Sequence, residues 1–359
     1  MPMTSPLRIA LLTTIDPVLR GTATFGIAMD DPGIVIVTHD ISVRGVRRVV
    51  SDASGILEDE FSELEHACLS CAVREDLIPA LQRLQALDRW TGVIVALPVT
   101  ADSSPVARAL HEETLRGGRL HGSHLSAVMC VIDACSIEID ALGDDYLEDR
   151  ALALVEEDDR VVGEVLAPML AHADVVVAHG SDDAAVRALA LIDHLRGPGS
   201  VVERSLDTLD VGTVMSQQHQ SDVALARVDP LVAAAPEAPN AHGVWTLVLE
   251  SERAMHPGRL QSNLRRLANH PVRTRGHFWV PTRPAAACAW DGAGGQLSIG
   301  DHGRWGRHPR RTRLVVTGIG NEHTEIEAAF RETLLTDEEL RQSWVGVDDN
   351  LDEWLNSSQ

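Results

Sequence analysis

Residues 174–195, DVVVAHGSDDAAVRALALIDHL, decide the fold, because a short β-branched run passes there directly into a helical pattern. The spacing predicts a buried strand over Asp174–Ala178 and an amphipathic helix over Asp183–Leu195. The same alternation continues through roughly the first 200 residues. It predicts further strands at Leu7–Leu12, Ile34–Val37, Val93–Leu97 and Ala127–Ile132, and further helices at Arg74–Leu87, Pro105–Leu115 and Arg160–Ala171.

The predicted strands are apolar on both sides, which is typical of a parallel sheet that helices cover on both faces. We therefore predict an α/β fold with a doubly wound parallel sheet for residues 1–205. In such sheets a ligand binds at the carboxyl ends of the strands, here near the loops that begin at Thr13, Pro98 and His179.

The pattern fades after residue 205. Residues 206–241 end in DPLVAAAPEAPNA, where Pro, Ala and polar residues without periodicity predict an exposed linker. A second alternation over residues 242–340 predicts a smaller α+β domain. The acidic tail, residues 341–359, contains Trp344 and Trp354. It is either a docked helix or a mobile partner-binding segment, and fraying is the default for a terminus.

Charge and composition exclude several classes of function. Lys plus Arg number 31 and Asp plus Glu number 53, so the formal charge is −22 and we expect no general nucleic-acid binding. No Lys is present, which excludes Schiff-base chemistry and a P-loop lysine. Five Cys are too sparse for a disulfide framework. Without a leader pattern or an apolar run of roughly 20 residues, we expect a cytoplasmic protein that does not enter a membrane.

The most informative motif is HACLSCAVREDL at residues 66–77, a CxxC that leads directly into a helical pattern. Thiolates at this spacing can hold one soft divalent ion, so Cys68, Cys71 and the neighbouring His66 are the predicted metal ligands. Two thiolates alone do not complete a tetrahedral site, and the remaining ligands could come from Glu65, Cys130, Cys135 or a partner protein. The alternative is two ordinary cysteines at a helix start; the order of elements disfavours a thioredoxin-type pair.

This stretch resembles the GCxCC-TVRxDL element of the CobW-like metal chaperones, a group of P-loop GTPases that includes the urease and hydrogenase nickel-insertion proteins. Ser70 stands at the second cysteine of that triplet. The second half resembles the CobW C-terminal domain through HPGRL, VRTRGHFWVPTRP, AGGQL, GRW and RTRLVVTG. The resemblance implies a P-loop-type sheet domain followed by a CobW C-terminal domain, with zinc as the metal.

A narrower resemblance is to the actinobacterial branch called ribosome hibernation factor-recruiting proteins. It rests on CxSC, on a decayed P-loop and on WDGAGGQLSIGDHGRW at residues 290–305. It implies a protein partner, a hibernation factor, and a link to the ribosome under zinc limitation.

The nucleotide motifs of that family are altered here. After the first predicted strand the chain has TTIDPVLRGTAT at residues 13–24 in place of GxxxxGK[ST], and Asp16 places negative charge where phosphates would lie. Arg20, Gly21 and Thr22 are the residues left to grip a phosphate, although a planar guanidinium does not reproduce a lysine ammonium. Of the guanine motif only Asp182 survives, and an ordinary helix cap is its alternative role.

The third nucleotide element, the acidic switch after the third predicted strand, is also missing, since Leu97–Thr100 has no carboxylate. Phosphoryl transfer depends on positioning and charge neutralisation, so this combination predicts a pseudo-GTPase and argues against GTP as a cofactor. No other catalytic motif is present, and we predict no catalytic residue.

Two charged segments are further candidates. The loop 111–124 contains three His and two Glu, and His121 with His124 could load metal; a solvated loop is the alternative. Five arginines between residues 304 and 313 could grip rRNA phosphates or an acidic partner, with a solvated loop again the alternative. In VRTRGHFWV, alternation places Arg273, Arg275 and His277 on one side of a strand, as a surface or interdomain stripe.

Three hypotheses follow. The first is a non-hydrolysing CobW-like protein that recruits or regulates a partner in zinc homeostasis, most specifically a hibernation factor. The second is a metallochaperone that delivers zinc held on Cys68 and Cys71 to a client protein. The third is a residual GTPase.

Overall fold

A computed structural model describes residues 6–64, 68–154, 158–180 and 185–355. The first sheet has eight strands: β1 (Arg8–Thr13), β2 (Ile34–Ser42), β3 (Gly45–Asp52), β4 (Gly55–Glu63), β5 (Gly92–Ala96), β6 (His124–Asp133), β7 (Val175–His179) and β8 (Val201–Glu203). Their order is β4-β3-β2-β5-β1-β6-β7-β8. The six strands β2, β5, β1, β6, β7 and β8, which are neighbours in this order, are parallel. The strands β3 and β4 add an antiparallel edge next to β2.

Helices cover both faces of this sheet. They are α1 (Pro17–Asp30), α2 (Leu69–Ala72), which continues through a π-helical turn (Val73–Leu77) into α3 (Ile78–Leu87), α4 (Ser103–Thr114), α5 (Ile137–Leu142), α6 (Val162–His172) and α7 (Val186–Leu195). Along β1, Ile9 and Leu11 pack with α3 and α4, whereas Ala10 and Leu12 pack with α1. The predicted doubly wound α/β fold is therefore confirmed.

The second sheet is antiparallel and smaller. It consists of β9 (Trp245–Ser251), β10 (Val272–Phe278), β11 (Ala286–Ala293), β12 (Gln296–Arg304) and β13 (Thr312–Gly318), in the order β12-β11-β10-β13-β9. Two helices, α10 (Pro257–Ala268) and α11 (His323–Thr333), share one core with this sheet, in which Phe278 and Trp290 are fully buried. The expected α+β domain is present.

The segment 206–241 is not the exposed linker that its sequence suggested. It contains α8 (Val211–Ser216) and α9 (Ser221–Val228) and buries Met215, Ala224 and Leu231. At the end of α9 and beyond it, a side chain of the second sheet holds the backbone: Arg275 donates to the carbonyls of Arg227 and Ala234, each at 2.9 Å. Buried backbone carbonyls need hydrogen-bond donors, and here side chains of another element supply them. This part of the sequence therefore lacks the apolar periodicity of a regular helix or strand.

The carboxy-terminal tail is docked as far as Leu355, so fraying is not its state there. A last helix, α12 (Asp352–Leu355), follows the fully buried Leu351, and Leu355 is buried as well. Arg283 donates to the Asp349 carboxylate at 3.0 Å. The burial of Leu351 and Leu355 and the contact between Arg283 and Asp349 compensate for the conformational entropy that the tail loses when it is ordered.

Among the described residues, no helix combines the length and the apolar character that crossing a membrane requires.

Candidate functional site

The connection between β1 and α1 is where a phosphate loop would lie. Only Thr14, Ile15 and Asp16 separate the strand from the helix, and the first two of them are buried. Thr14 turns back on the chain: its hydroxyl accepts from the Asp16 amide at 3.1 Å, and its carbonyl accepts from the Thr100 amide at 3.2 Å. The connection is too short for the eight-residue GxxxxGK[ST] loop.

The amino-terminal amides of α1 are already used within the chain. Asp16 is the N-cap, and its Oδ1 accepts from the amides of Val18 at 2.7 Å and Leu19 at 3.0 Å. Pro17 has no N–H, and the Arg20 amide donates to the Asp16 carbonyl at 2.9 Å. A phosphate binds at a helix start through free amides and the helix dipole. Here a carboxylate of the protein itself takes that place.

The three residues proposed as a substitute phosphate grip lie on α1. The Arg20 guanidinium points to the sheet, where it pairs with Asp40 at 2.6 Å and donates to the carbonyls of His39 and Leu97. Thr22 donates to the Val18 carbonyl at 2.9 Å, and Gly21 is exposed. These contacts join α1 to β2 and to the end of β5. Nucleotide binding by these residues stays a prediction.

The guanine-motif position follows β7. His179 ends the strand, and Gly180 has a φ of +77°. Asp182, the surviving motif residue, lies outside the described residues. Its predicted role is therefore left as a prediction.

The CxxC lies where the sequence predicted it, at the start of a helix. Cys68 is the N-cap of α2, and its Sγ accepts from the Cys71 amide at 3.4 Å. The Cys68 side chain is exposed and Cys71 is half-buried, so both thiols can be reached from solvent. This is an open arrangement in which a metal ion could bridge the two sulfurs while other positions stay free for further ligands.

Local hydrogen bonds make the two thiols unequal. The amide of Cys71, the Cys71 thiol and the charge of Arg74 outweigh burial and hold the pKa of Cys68 below its usual range. The pKa of Cys71 is raised, chiefly by its hydrogen bond to Cys68. Cys68 is thus the first of the two to become a thiolate, which is the form that binds a soft metal ion.

A buried ionic cluster fixes the helix that carries Cys71. Asp76, in the π-helical turn, pairs with Arg48 of β3 and lies 2.8 Å from Nε2 of His39 on β2. All three side chains are almost fully buried. Burial raises the pKa of Asp76, but the hydrogen bond and charge of His39 and the charge of Arg48 prevail and lower it. The cluster joins the CxxC helix to the antiparallel edge of the sheet.

A groove runs beside the CxxC. Its volume is about 690 Å³, and Val73 and Ile78 line one side while Val106 and Ala109 of α4 line the other. The predicted metal-loading loop forms part of the same region, because Gln82 and Gln85 of α3 donate to the carbonyls of Arg119 and His121. His124 is the first residue of β6.

Within the described parts of the chain, no group of three or more His, Cys, Asp or Glu side chains is arranged to hold a metal ion. Cys130 is fully buried in β6, and burial raises its pKa to about 12. Cys135 follows β6 and contacts the Gly180 carbonyl at 3.5 Å. His66 and Glu65, which neighbour Cys68, lie outside the described residues. The structure therefore brings together Cys68 and Cys71 and leaves the rest of the ligand set open.

Sequence reasoning did not single out Asp16 as a cap or Asp76 as an anchor. The signal for the first was present, since Asp followed by Pro is a common helix start. The signal for the second was weaker: an acidic residue on a helix is usually solvated, and only the position of Arg48 and His39 in space gives it partners.

Comparison with known families divides the chain as the fold does. Residues 28–197 match the nucleotide-binding domain described as CobW/HypB/UreG, and residues 244–334 match the cobalamin synthesis protein cobW C-terminal domain. The first match begins inside α1, beyond the connection from β1.

Several characterised proteins are similar over most of their length. A zinc chaperone of Mycobacterium tuberculosis is 26% identical, covering 90% of this chain and 87% of the relative. The zinc chaperone CobW of a Sinorhizobium species is 26% identical, covering 81% and 84%. A zinc-regulated GTPase metalloprotein activator of Dictyostelium discoideum is 22% identical, covering 86% and 75%.

Among solved structures, Zn(II)-bound YjiA GTPase from E. coli aligns with 92% of this chain and 99% of its own, at 16% identity and a TM-score of 0.39.

Proposed function

The chain combines a CobW/HypB/UreG nucleotide-binding domain with a CobW C-terminal domain, and on that premise we propose that it is a zinc-homeostasis protein that acts by binding, without GTP. In this proposal Cys68 and Cys71 hold zinc. The protein acts in the cytoplasm, where it either recruits a protein partner or supplies a client protein with zinc. The observation that carries the proposal is the closed start of α1, where Asp16 occupies the place of a phosphate.

The closed helix start supports the loss of GTPase function in two ways. Phosphates need free amides, and the first turn of α1 has none to offer among Pro17, Val18 and Leu19. They also need positive charge, whereas Asp16 is a carboxylate and Arg20 is engaged with Asp40. A residual GTPase would have to open this connection first.

Support for zinc comes from the donor atoms and from the relatives. Two accessible sulfurs, one of them favoured as a thiolate, suit a soft divalent ion. Three similar proteins bear names that refer to zinc. Two sulfurs leave a tetrahedral ion with two open positions, which His66 or residues of a partner would fill.

The partner is a protein. A chaperone or metalloprotein activator acts on a client, and the relatives named above favour this kind of partner. In the finer form of the proposal the partner is a ribosome hibernation factor recruited under zinc limitation, as the CxSC motif and its resemblance imply. The alternative is delivery of zinc from Cys68 and Cys71 to a client enzyme.

Nucleotide titration tests the central part of this proposal. Thermal unfolding of the purified protein with Mg²⁺ and increasing GTP or GDP should give an unchanged melting temperature, since only a ligand that binds the folded state raises it. GTP hydrolysis should stay at the buffer rate. A dose-dependent rise in melting temperature, with turnover abolished by substitutions in residues 13–24, would contradict the proposal and favour the residual GTPase.

A second experiment separates recruitment from delivery. The wild-type protein and Cys68→Ser/Cys71→Ser, each immobilised, are exposed to extracts of zinc-starved cells. Recruitment without zinc transfer predicts that both capture the same hibernation factor. Delivery predicts capture of a zinc-dependent client that the double variant no longer loads.

A further inference from the structure

Three exposed arginines lie at the end of β12 and in the loop that follows it: Arg304, Arg307 and Arg310, which we call the arginine patch. None of the three makes an ion pair with a carboxylate of the described residues. Their neighbours Arg311 and Arg313 differ, because both pair with Glu250 of β9. Among the described residues, Arg44, Arg108 and Arg116 are also exposed and outside any ion pair, but the three of the patch lie within seven residues of one another.

The patch is held on a firm base. The guanidinium of Arg310 lies 4.2 Å above the ring of Trp279, and Trp279 and Trp305 are both buried in a small apolar cluster. A tight turn follows Trp305: the His308 amide donates to the Trp305 carbonyl at 2.9 Å, and Gly306 within the turn has a φ of +57°. A stacked guanidinium loses less freedom on binding and keeps most of its N–H groups for a partner.

The surroundings leave the patch positive. Three carboxylates of this region have partners of their own: Glu250 is shared by Arg311 and Arg313, Asp301 accepts from the Gly303 amide at 2.6 Å, and Asp229 lies 3.4 Å from His302. On a chain with a net charge of −22, this is a local inversion of sign. At physiological ionic strength charges are screened within about 8 Å, so a ligand confined to the patch experiences mainly its positive charge.

Ligand size decides between two kinds of anionic partner. A nucleic acid is a long polyanion that would extend beyond the patch over an acidic surface, and the indole rings of Trp279 and Trp305 are buried, so they offer its bases no stacking surface. A short acidic peptide would stay within the patch, and its carboxylates match the guanidinium fork. We propose that the arginine patch docks a short acidic segment of a partner protein.

Fluorescence anisotropy with defined probes tests this docking site. The probes are a labelled ten-residue peptide rich in Glu and Asp, and a labelled ten-nucleotide oligouridine RNA. At low salt the peptide should bind the wild-type protein, and R304Q/R307Q/R310Q should weaken it about tenfold, as expected for the loss of several exposed charge contacts. Binding should disappear at about 0.5 M salt. The variant R304Q/R307Q, which keeps the Arg310 stack on Trp279, should lose part of the affinity.

The matched control is R44Q/R108Q/R116Q, which removes the same charge from three exposed arginines of the first domain. It should bind the peptide like the wild type. Equal loss in this control, peptide affinity unchanged in R304Q/R307Q/R310Q, or RNA bound more tightly than the peptide would each overturn the proposal. The site is independent of zinc, so the Cys68→Ser/Cys71→Ser variant should bind the peptide normally whether or not the proposed zinc function is correct.

Discussion

The Oδ1 atom of Asp16 accepts the amide of Leu19 at 3.0 Å, so the helix start that holds phosphate in P-loop proteins is capped here by the protein's own carboxylate. The same oxygen accepts the Val18 amide at 2.7 Å. The two amides at this helix start are therefore bonded within the fold. The consequences can be tested at the cap, at Arg20, at the CxxC helix and in the response to pH.

The cap should contribute to stability. Asp16→Ala removes the acceptor for two amides of α1 and should lower the free energy of unfolding by about 1 kcal/mol. Urea unfolding followed by circular dichroism measures the change. Asp30→Ala, at the opposite end of the same helix, removes an equal charge without a cap and should leave stability nearly unchanged. Identical stability of Asp16→Ala and the wild type would show that the cap is not formed in solution.

Arg20 should behave as a structural residue. Arg20→Gln gives up the ion pair with Asp40 and the contacts with the carbonyls of His39 and Leu97. We expect a loss of about 1–3 kcal/mol in unfolding free energy, because buried carbonyls lose a charged donor. Adding Mg²⁺ and GTP should leave the melting temperature unchanged in both the variant and the wild type. A wild-type stability combined with loss of a nucleotide-induced shift would assign Arg20 to a phosphate site instead.

Asp76 should link stability to metal binding. Asp76→Asn leaves the buried Arg48 with only Glu58 and Glu60 as negative partners, and breaking a buried ion pair costs about 3–5 kcal/mol. The helix that carries Cys71 should loosen, so zinc affinity should fall along with stability. Asp59→Asn, which breaks an exposed pair with Arg47, is the control and should change neither. Hydrogen exchange over Leu69–Leu87 would locate the effect; protection equal to that of the wild type would argue against the anchor.

Stability should fall in mild acid because of His172. Burial chiefly, with the charge of His219, lowers the pKa of His172 from 6.5 to about 4 in the folded protein. Its neutral Nδ1 lies 2.9 Å from the Ser103 hydroxyl. The unfolded state binds the proton more tightly, so this contribution is complete above pH 6.5 and is lost as pH falls toward 4, by up to about 3 kcal/mol.

Unfolding free energies measured between pH 7 and pH 4.5 check this sign. The pKa of Asp174, lowered against the effect of burial by His219 and Arg227, adds acid sensitivity only below about pH 4. Burial chiefly also lowers the pKa of His277 and of His124, so these two residues share the upper part of the window with His172. In His172→Gln the slope above pH 5 should flatten. An unchanged slope would place the responsible proton elsewhere.

The sequence predicted the strands that are apolar on both faces. A strand that is buried on both sides, such as β1 or β7, is a nearly continuous apolar run, and this run can be recognised without knowing which elements pack against it. It also placed Cys68 and Cys71 at a helix start. It did not predict β3 and β4. In β4 most residues are exposed, and the strand is held by backbone pairing with β3 and by ion pairs such as Arg47–Asp59, neither of which leaves a periodic apolar pattern.

The remaining differences have a common physical origin. The sequences around Arg227 and Asp349 show no apolar periodicity. Arginines from distant parts of the chain bind them: Arg275 contacts the Arg227 carbonyl, and Arg283 contacts the Asp349 carboxylate. Such contacts join residues far apart in the chain, and a single sequence does not reveal them. The sequence indicated that the negative charge of Asp16 would repel a phosphate. Its role as a helix cap depends on the short connection between β1 and α1, which the sequence did not reveal.

A zinc competition titration of the reduced protein, with and without Mg²⁺ and GTP, tests the account most directly. We predict that the wild type binds one tight equivalent of zinc, that Cys68→Ser/Cys71→Ser loses it, and that GTP changes neither result. Tight zinc retained by the double variant, or a zinc affinity that shifts with GTP, would contradict a zinc protein that works from Cys68 and Cys71 without a nucleotide.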